Sequence, residues 1–236
     1  MSAPLIRIVD VTRGYGGSNP LRIADLTVAA ADRLVLAGFD AGAAEAFVNL
    51  VTGAALPESG QVRIDGRPTS EIATDSEWLS SLDRFGLVTE RAVLLEQLSA
   101  AANLALPMTL AIDPMTDETR RLVERLAADV ALTPRDLDAP AAKLLPAGRA
   151  ALHLARAIAT SPAMVILEHP TARLDQRDES VRFGGLLGSL AARRGFGFIA
   201  ISEDSAFAKA TRARQLRLDP KGRLVGQGLS RWLRPW

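Results

Sequence analysis

Residues Arg33 to Gly66 read RLVLAGFDAGAAEAFVNLVTGAALPESGQVRIDG, and the pattern of this segment predicts the fold class. It opens with a short apolar run, Leu34 to Ala37, which is typical of a buried parallel strand followed by a helix. Ala43 to Gly53 is the helix that the pattern predicts. A turn containing Gly60 and a second apolar run, Gln61 to Ile64, predict a strand of a separate antiparallel layer.

The same patterns recur along the 236-residue chain. Further strands are predicted at Leu5 to Val11, Leu21 to Val28, Phe85 to Val88, Met164 to Leu167, Phe198 to Ile201 and Gln215 to Leu218. Further helices are predicted at Asp117 to Ala131, Ala147 to Thr160 and Gln176 to Arg194. These elements indicate an α/β fold with a mixed sheet and an N-terminal antiparallel β layer. Since residues 100–146 show helical patterns without strands, we expect an α/β core at 1–90 and 150–236 and a helical subdomain at 91–149.

Bulk composition excludes several classes of protein. With 28 basic and 27 acidic residues the net charge is +1, so charge gives no argument for a nucleic-acid partner. The absence of cysteine excludes disulfides, zinc–thiolate sites and thiol nucleophiles. The first residues lack the pattern of a signal peptide, and no apolar run reaches the length of about 18 residues that spans a bilayer. We therefore expect a cytoplasmic protein that sits at a membrane only on another protein.

Four segments resemble the nucleotide-binding subunits of ATP-binding-cassette (ABC) transporters, in the order that the family has. They are the phosphate loop and the turn after it (33–66), the Q-loop (85–108), the signature helix with Walker B strand and D-loop (149–175), and the switch strand (198–204). The surviving framework includes LARA at 154–157 and PTA at 170–172. The resemblance implies a P-loop NTPase-like core that pairs into homodimers or heterodimers and docks on a transmembrane permease at the cytoplasmic face of the inner membrane.

Most phosphate-handling positions of this family are changed. The motif G-x-x-G-x-G-K-[ST] falls on Gly38 to Glu45, and only the first motif glycine, Gly38, remains. Gly42 occupies a variable position, Ala44 replaces the lysine that reaches the phosphates, and Glu45 replaces the hydroxyl that binds Mg²⁺. The other two motif glycines are Ala41 and Ala43, whose Cβ atoms restrict the loop.

The remaining motif positions are changed as well. The Walker B aspartate becomes Glu168, and the catalytic glutamate becomes His169, which either accepts a proton from water or is a polar residue without a role. The Q-loop glutamine becomes Glu90 and the switch histidine becomes Glu203. The signature loop at 144–148 reads LLPAG and lacks the serine and both glycines. Tyr15 falls at the adenine-stacking position, and it either stacks on a base or covers the antiparallel layer.

Carboxylates thus replace four groups that converge around the γ-phosphate and Mg²⁺ in the family: Glu45, Glu90, Glu168 and Glu203. We expect mutual repulsion to raise the pKa of at least one. The pocket is then empty, or holds a divalent cation on Glu45 and Glu168, or holds a basic side chain. The alternative is that each glutamate only bonds locally or faces solvent.

The resemblance, with these changes, predicts a cassette subunit that docks on a permease without hydrolysing ATP. No cofactor is expected, and ATP with Mg²⁺ would bind only through residual contacts such as Tyr15 and Gly38. Two alternatives stay open: a divergent but active transport ATPase, and a soluble regulatory or binding module that kept the fold. The transported substrate and its direction are not encoded in any motif.

Overall fold

The computed structural model of the chain describes residues 4–16, 19–174, 176–221 and 223–226. The strands in this part are β1 (Ile6–Arg13), β2 (Leu21–Val28), β3 (Arg33–Ala37), β4 (Ser59–Ile64), β5 (Arg67–Pro68), β6 (Phe85–Val88), β7 (Met164–Glu168), β8 (Gly197–Ile201), β9 (Arg214–Leu218) and β10 (Leu224–Gly226). The α-helices are α1 (Ala41–Val51), α2 (Asp75–Leu82), α3 (Ala100–Ala105), α4 (Asp117–Asp129), α5 (Pro134–Asp138), α6 (Pro146–Ala157), α7 (Arg177–Arg194) and α8 (Ser205–Ala210).

The strands form two sheets. One is antiparallel, in the order β2-β1-β4-β5, and is the predicted N-terminal layer. The other has the order β10-β9-β3-β8-β7-β6, with parallel pairs throughout except for the antiparallel pair of β9 and β10. The predicted α/β fold with a mixed sheet is therefore confirmed.

The inner strands β7 and β8 are covered on both faces, and every residue of them is buried. Met164 and Ile166 of β7 pack into a core shared with α1 and the antiparallel sheet. Val165 and Leu167 pack into a second core, shared with α3, α4, α6 and α7. Because successive side chains of a strand point to opposite faces, one short strand serves both cores.

Two local predictions need correction. Helix α1 begins at Ala41, two residues before the predicted start, because alanines at 41 and 43 favour a helix and Asp40 caps its N-terminus. The composition of residues 133–140 is typical of a linker, but these residues contain α5, where Pro134 occupies the first turn and Thr133 and Asp136 form a capping box.

The helical part of the chain follows β6. Helices α3, α4 and α5 lie between residues 100 and 138, and α6 begins at Pro146, so the proposed boundary at 149/150 falls inside α6. The division into a core and a helical subdomain stays a prediction. Within the described residues no helix is both long and apolar enough to cross a membrane.

Candidate functional site

The parallel strands bring the motif positions to one edge of the mixed sheet. Gly38 follows β3, Glu90 follows β6, Glu168 ends β7 and Glu203 follows β8. The carboxyl ends of neighbouring parallel strands meet at the same edge, which is where open α/β sheets bind ligands. The structure therefore places these four residues along one rim, with α1 starting beside it.

The N-terminus of α1 is capped by a carboxylate of the chain itself. Asp40 Oδ1 accepts a hydrogen bond of 2.7 Å from the Ala43 N–H, and the Asp40 carbonyl accepts one of 2.9 Å from the Ala44 N–H. A helix N-terminus favours an anion because its first N–H groups and the helix dipole point outward. Here Asp40 supplies that anion.

Tyr15 lies over this capped turn. Its hydroxyl donates to Asp40 Oδ2 at 3.3 Å, and a Cβ built on Gly42 would lie 2.5 Å from Tyr15 Cδ2. The ring therefore rests directly on the Gly42 backbone, where only glycine leaves room. Burial, and then the neighbouring Asp40 carboxylate, raise the pKa of Tyr15.

A second carboxylate accepts a hydrogen bond from the backbone N–H of the first glycine of the loop. Gly38 has a φ of +87°, and its N–H donates to Glu203 Oε1. The other oxygen of Glu203 pairs with Arg217 of β9 at 2.6 Å. Partial burial by itself would raise the pKa of Glu203, but the Gly38 N–H and the Arg217 guanidinium outweigh it and lower that pKa.

An arginine joins Glu45 and Glu168, the two carboxylates at the positions that the resemblance assigns to Mg²⁺ binding. Arg91 Nη1 lies 3.0 Å from Glu45 Oε1, and Arg91 Nη2 lies 3.1 Å from Glu168 Oε2. The Glu168 side chain is only 7% exposed, whereas Arg91 and Glu45 reach solvent. A basic side chain is one of the three occupants that the sequence allowed for this pocket.

Burial governs the titration of Glu168. Desolvation raises its pKa, Arg91 opposes this rise, and the carboxylates of Glu45 and Glu90 add to it. The direction at Glu168 agrees with the expectation, but burial and not mutual repulsion is the main cause.

The other two positions differ in their surroundings. Glu90 is 76% exposed and lies 3.8 Å from Arg173, so it bonds locally at the surface. His169 adopts a φ of +45°, and its N–H donates to the Ile201 carbonyl at 2.9 Å. Its Nε2 atom is buried, and within the described residues no hydrogen-bond partner reaches it.

A cavity of about 250 Å³ adjoins this rim on the side of the helices. We call it the seam cavity; its walls include Val88, Val93, Leu94, Pro146, Arg149, His153, Glu168, His169, Arg173 and Phe183. His153 of α6 is half-buried in this wall. Burial first, and then the charges of Arg156, Arg149 and Arg173, lower the pKa of His153 to about 4.

The signature position presents an apolar surface. Leu145 precedes α6 and is 77% exposed, and Pro146 occupies the first position of that helix. Proline has no N–H, so this helix start offers one donor fewer than usual. Asp175, the last residue of the D-loop resemblance, lies outside the described residues.

Sequence analysis missed three residues of the site, namely Asp40, Arg91 and Arg217. An acidic residue just before a predicted helix is an N-cap signal, so Asp40 was detectable from the sequence. Arg91 follows the changed Q-loop position and Arg217 lies on a separate strand. No local pattern assigns either to a glutamate 77 or 14 residues away.

Curated relatives carry ATP-binding names. The lipoprotein-releasing system ATP-binding protein LolD of Chromohalobacter salexigens is 29% identical over 85% of the chain and 82% of its own length. The methionine import ATP-binding protein MetN of Brucella abortus is 27% identical over 92% of the chain. The macrolide export ATP-binding/permease protein MacB 1 of Aeromonas hydrophila is 27% identical over 89% of the chain. The chain spans 58% of the length of MetN and 32% of that of MacB 1.

Solved structures support the fold. The structure of cbiO1 from Clostridium perfringens, described as part of the ABC transporter complex cbiONQ, matches 96% of the chain and 88% of its own with a TM-score of 0.78 and 18% identity. A dimeric structure of the ATP-binding cassette MJ0796 bound to ADP and Pi matches 93% of the chain and 96% of its own with a TM-score of 0.73 and 21% identity. A family model described as "ABC transporter" matches residues 22–172. The chain therefore belongs to the ABC transporter family, as a member with the fold of its ATP-binding cassette.

Proposed function

We propose that this chain is a cassette subunit that neither binds nor hydrolyses ATP and that acts by docking on a transmembrane permease. The observation that supports the proposal is that side chains of the chain itself already occupy the groups that would bind phosphate. Asp40 takes the N–H at the start of α1, and Glu203 takes the Gly38 N–H. Arg91 lies between the carboxylates at the metal positions.

The residues present do not fit a triphosphate. To reach the loop, phosphate oxygens would have to displace the carboxylates of Asp40 and Glu203 from the N–H groups that both kinds of anion seek. Each phosphate charge about 4 Å from a carboxylate costs roughly 4 kcal/mol at an effective dielectric constant near 20. Ala44 supplies no ammonium group to offset that repulsion. Exclusion of nucleotide follows from charge as well as from lost contacts.

The residues do not fit Mg²⁺ either. Glu45 and Glu168 are oxygen donors of the kind that Mg²⁺ accepts, but the Arg91 guanidinium already bonds to both. A cation would have to expel this arginine before it could bridge the carboxylates. We therefore derive no catalytic step through a metal or a nucleotide.

Docking on a permease is supported by the names of relatives and by the exposed surface. MacB 1 is named as an ATP-binding/permease protein, and cbiO1 as part of a transporter complex. In this chain Val93 is 63% exposed and Leu95 is 46% exposed beside the seam cavity, an apolar surface that another protein can cover. Pairing with a second cassette and a location at the cytoplasmic face of a membrane belong to the same proposal.

Calorimetric titration tests the nucleotide part. ATP and ADP are titrated into the chain with and without Mg²⁺, and LolD of Chromohalobacter salexigens is the positive control for a named ATP-binding relative. We expect no saturable heat up to millimolar nucleotide. Replacing Ala44 by Lys and Glu45 by Ser should still give no binding, because the carboxylates of Asp40 and Glu203 still occupy the loop N–H groups. Micromolar binding by the unmodified chain would refute the proposal.

Site-specific crosslinking tests the docking part. The chain has no cysteine, so Val93→Cys introduces a single reactive thiol. Leu79→Cys on α2, which is 56% exposed, is the matched control. We expect membranes from the source cells to yield a crosslink from position 93, but not from position 79, to a protein with several membrane spans. Crosslinks only to soluble proteins would favour a regulatory module instead.

A further inference from the structure

The segment 89–96, which we call the strap, connects β6 to the helices and forms part of the wall of the seam cavity. Val93, Leu94 and Glu96 of the strap line the cavity together with residues of α6 and the end of β7. Leu94 is 5% exposed and anchors the strap in the core of the helices, whereas Val93 faces outward. The way in which the strap is held therefore sets the shape of the cavity.

On the side of the helices, the strap is held by bonds to its backbone. Asn103 of α3 is fully buried; its Oδ1 accepts from the Leu95 N–H at 2.8 Å and its Nδ2 donates to the Leu95 carbonyl at 3.0 Å. Arg156 of α6 donates to the carbonyls of Ala92 and Val93, the latter at 2.6 Å. Hydrogen bonds to neutral backbone groups depend less on salt than ion pairs between exposed charges do, so this side is the firmer attachment.

On the side of the core, the strap is held by charge. Arg91 reaches Glu45 of α1 and Glu168 of β7, and Arg91 and Glu45 are 43% and 50% exposed. Ion pairs with this exposure weaken as salt is added. When the pairs break, the arginine can turn outward, where water solvates its charge. Since Glu168 is buried, its carboxylate favours the latched position.

We propose that Arg91 is a latch that closes the strap over the seam cavity, and that releasing the latch opens the cavity on the side of Glu168. In the latched form the cavity holds about 250 Å³, and Val88 and Leu94 line it. Release of the latch would expose the apolar faces of these two residues. Val93 and Leu95 already extend that apolar surface outward. The latch is independent of whether the cassette hydrolyses ATP, since only residues of this chain form it.

Charged groups around the latch define how it responds. Glu45 faces it from α1, Glu168 and His169 from the end of β7, and Glu90 from the strap itself. Arg173 pairs with Glu90 at 3.8 Å, and both side chains are about three-quarters exposed, so this pair contributes little to holding the strap. Three carboxylates therefore surround one latch arginine, which keeps it in place at low ionic strength.

Amide hydrogen exchange measures the latch in the intact chain. In Arg91→Gln we expect the strap amides to exchange at least about tenfold faster than in the unmodified chain, which corresponds to about 1.4 kcal/mol. Amides of β7 and β8 should keep their rates. Arg173→Gln is the matched control, because it removes an exposed arginine of the same rim, and it should leave the strap unchanged.

The dependence of strap exchange on salt distinguishes a latch from an arginine with only a structural role. Raising the ionic strength to 1 M shortens the screening length to about 3 Å. Strap exchange in the unmodified chain should then accelerate toward the rate of Arg91→Gln, and the variant itself should respond little. An apolar fluorescent dye should bind the variant at low salt more strongly than it binds the unmodified chain or Arg173→Gln.

Several results would overturn the latch. Strap exchange in Arg91→Gln within twofold of that in Arg173→Gln refutes it, and so does an equal acceleration in β7, which indicates general destabilisation. If Arg91→Gln fails to fold, Glu45→Gln provides the test instead. This variant removes one of the two ion pairs of Arg91 and keeps the pair with the buried Glu168. Strap amides in Glu45→Gln that exchange at the control rate also refute the latch.

Discussion

His153 should make the stability of this cassette depend on pH. Burial and three nearby arginines lower the pKa of His153 to about 4 in the folded chain, against 6.5 for a free imidazole. The unfolded chain therefore takes up a proton before the folded chain does. Stability from this residue is fully present above pH 6.5 and is lost as the pH falls toward 4.

The size of the effect follows from the two pKa values. Between pH 7.5 and pH 5 the unfolding free energy should fall by up to about 2 kcal/mol because of His153. The imidazole is half-buried, so solvent screening makes this figure an upper bound. Glu168 acts in the opposite sense over part of this range, because burial raises its pKa. A difference between matched proteins is therefore needed.

Urea denaturation of the unmodified chain and of His153→Gln, at pH 7.5, 6 and 5, supplies that difference. Glutamine fills similar space and does not titrate, and contributions from Glu168 cancel in the subtraction. We expect the stability advantage of the unmodified chain over the variant to shrink steadily with falling pH, by up to about 2 kcal/mol at pH 5. Parallel pH profiles for the two proteins would refute the reasoning.

Three further predictions concern packing and charge. Gly86→Ala should destabilise the chain by about 1–3 kcal/mol in urea denaturation, because its Cβ would overlap the Ala157 carbonyl; Gly185→Ala, which meets nothing within 4 Å, should be neutral or stabilising by up to about 1 kcal/mol. Asn103→Ala should cost about 2–4 kcal/mol and speed hydrogen exchange in residues 95–99, since buried backbone groups lose their partner. The unfolding free energy of Glu168→Gln minus that of the unmodified chain should be larger at pH 7 than at pH 5. The reason is that the substitution removes a buried carboxylate whose pKa is raised. An equal difference at both pH values would contradict this prediction.

Much of the framework was predictable from the sequence. The apolar runs at 34–37, 164–167 and 198–201 correspond to β3, β7 and β8, since strands covered on both faces must be apolar throughout. Helix α7 was predicted within one residue, because Asp178 and Glu179 lie in its first turn and Gly195 ends it in the left-handed conformation. The short helix α8 was missed, because six residues carry too little periodicity.

The amino-acid sequence is sufficient to predict the cassette fold, and it predicts changed residues at the positions where the family handles phosphate. Both follow from local features: hydrophobic periodicity, turn residues, and the identity of side chains at motif positions such as Ala44 and Glu45. The sequence does not show which charged side chains form ion pairs, because that depends on the tertiary structure. Five parallel strands, β3, β6, β7, β8 and β9, end at one edge of the sheet, and this brings Arg91 within 3.1 Å of Glu168 and Arg217 within 2.6 Å of Glu203. Ion pairs depend on distance in space, and spacing along the chain does not encode that distance.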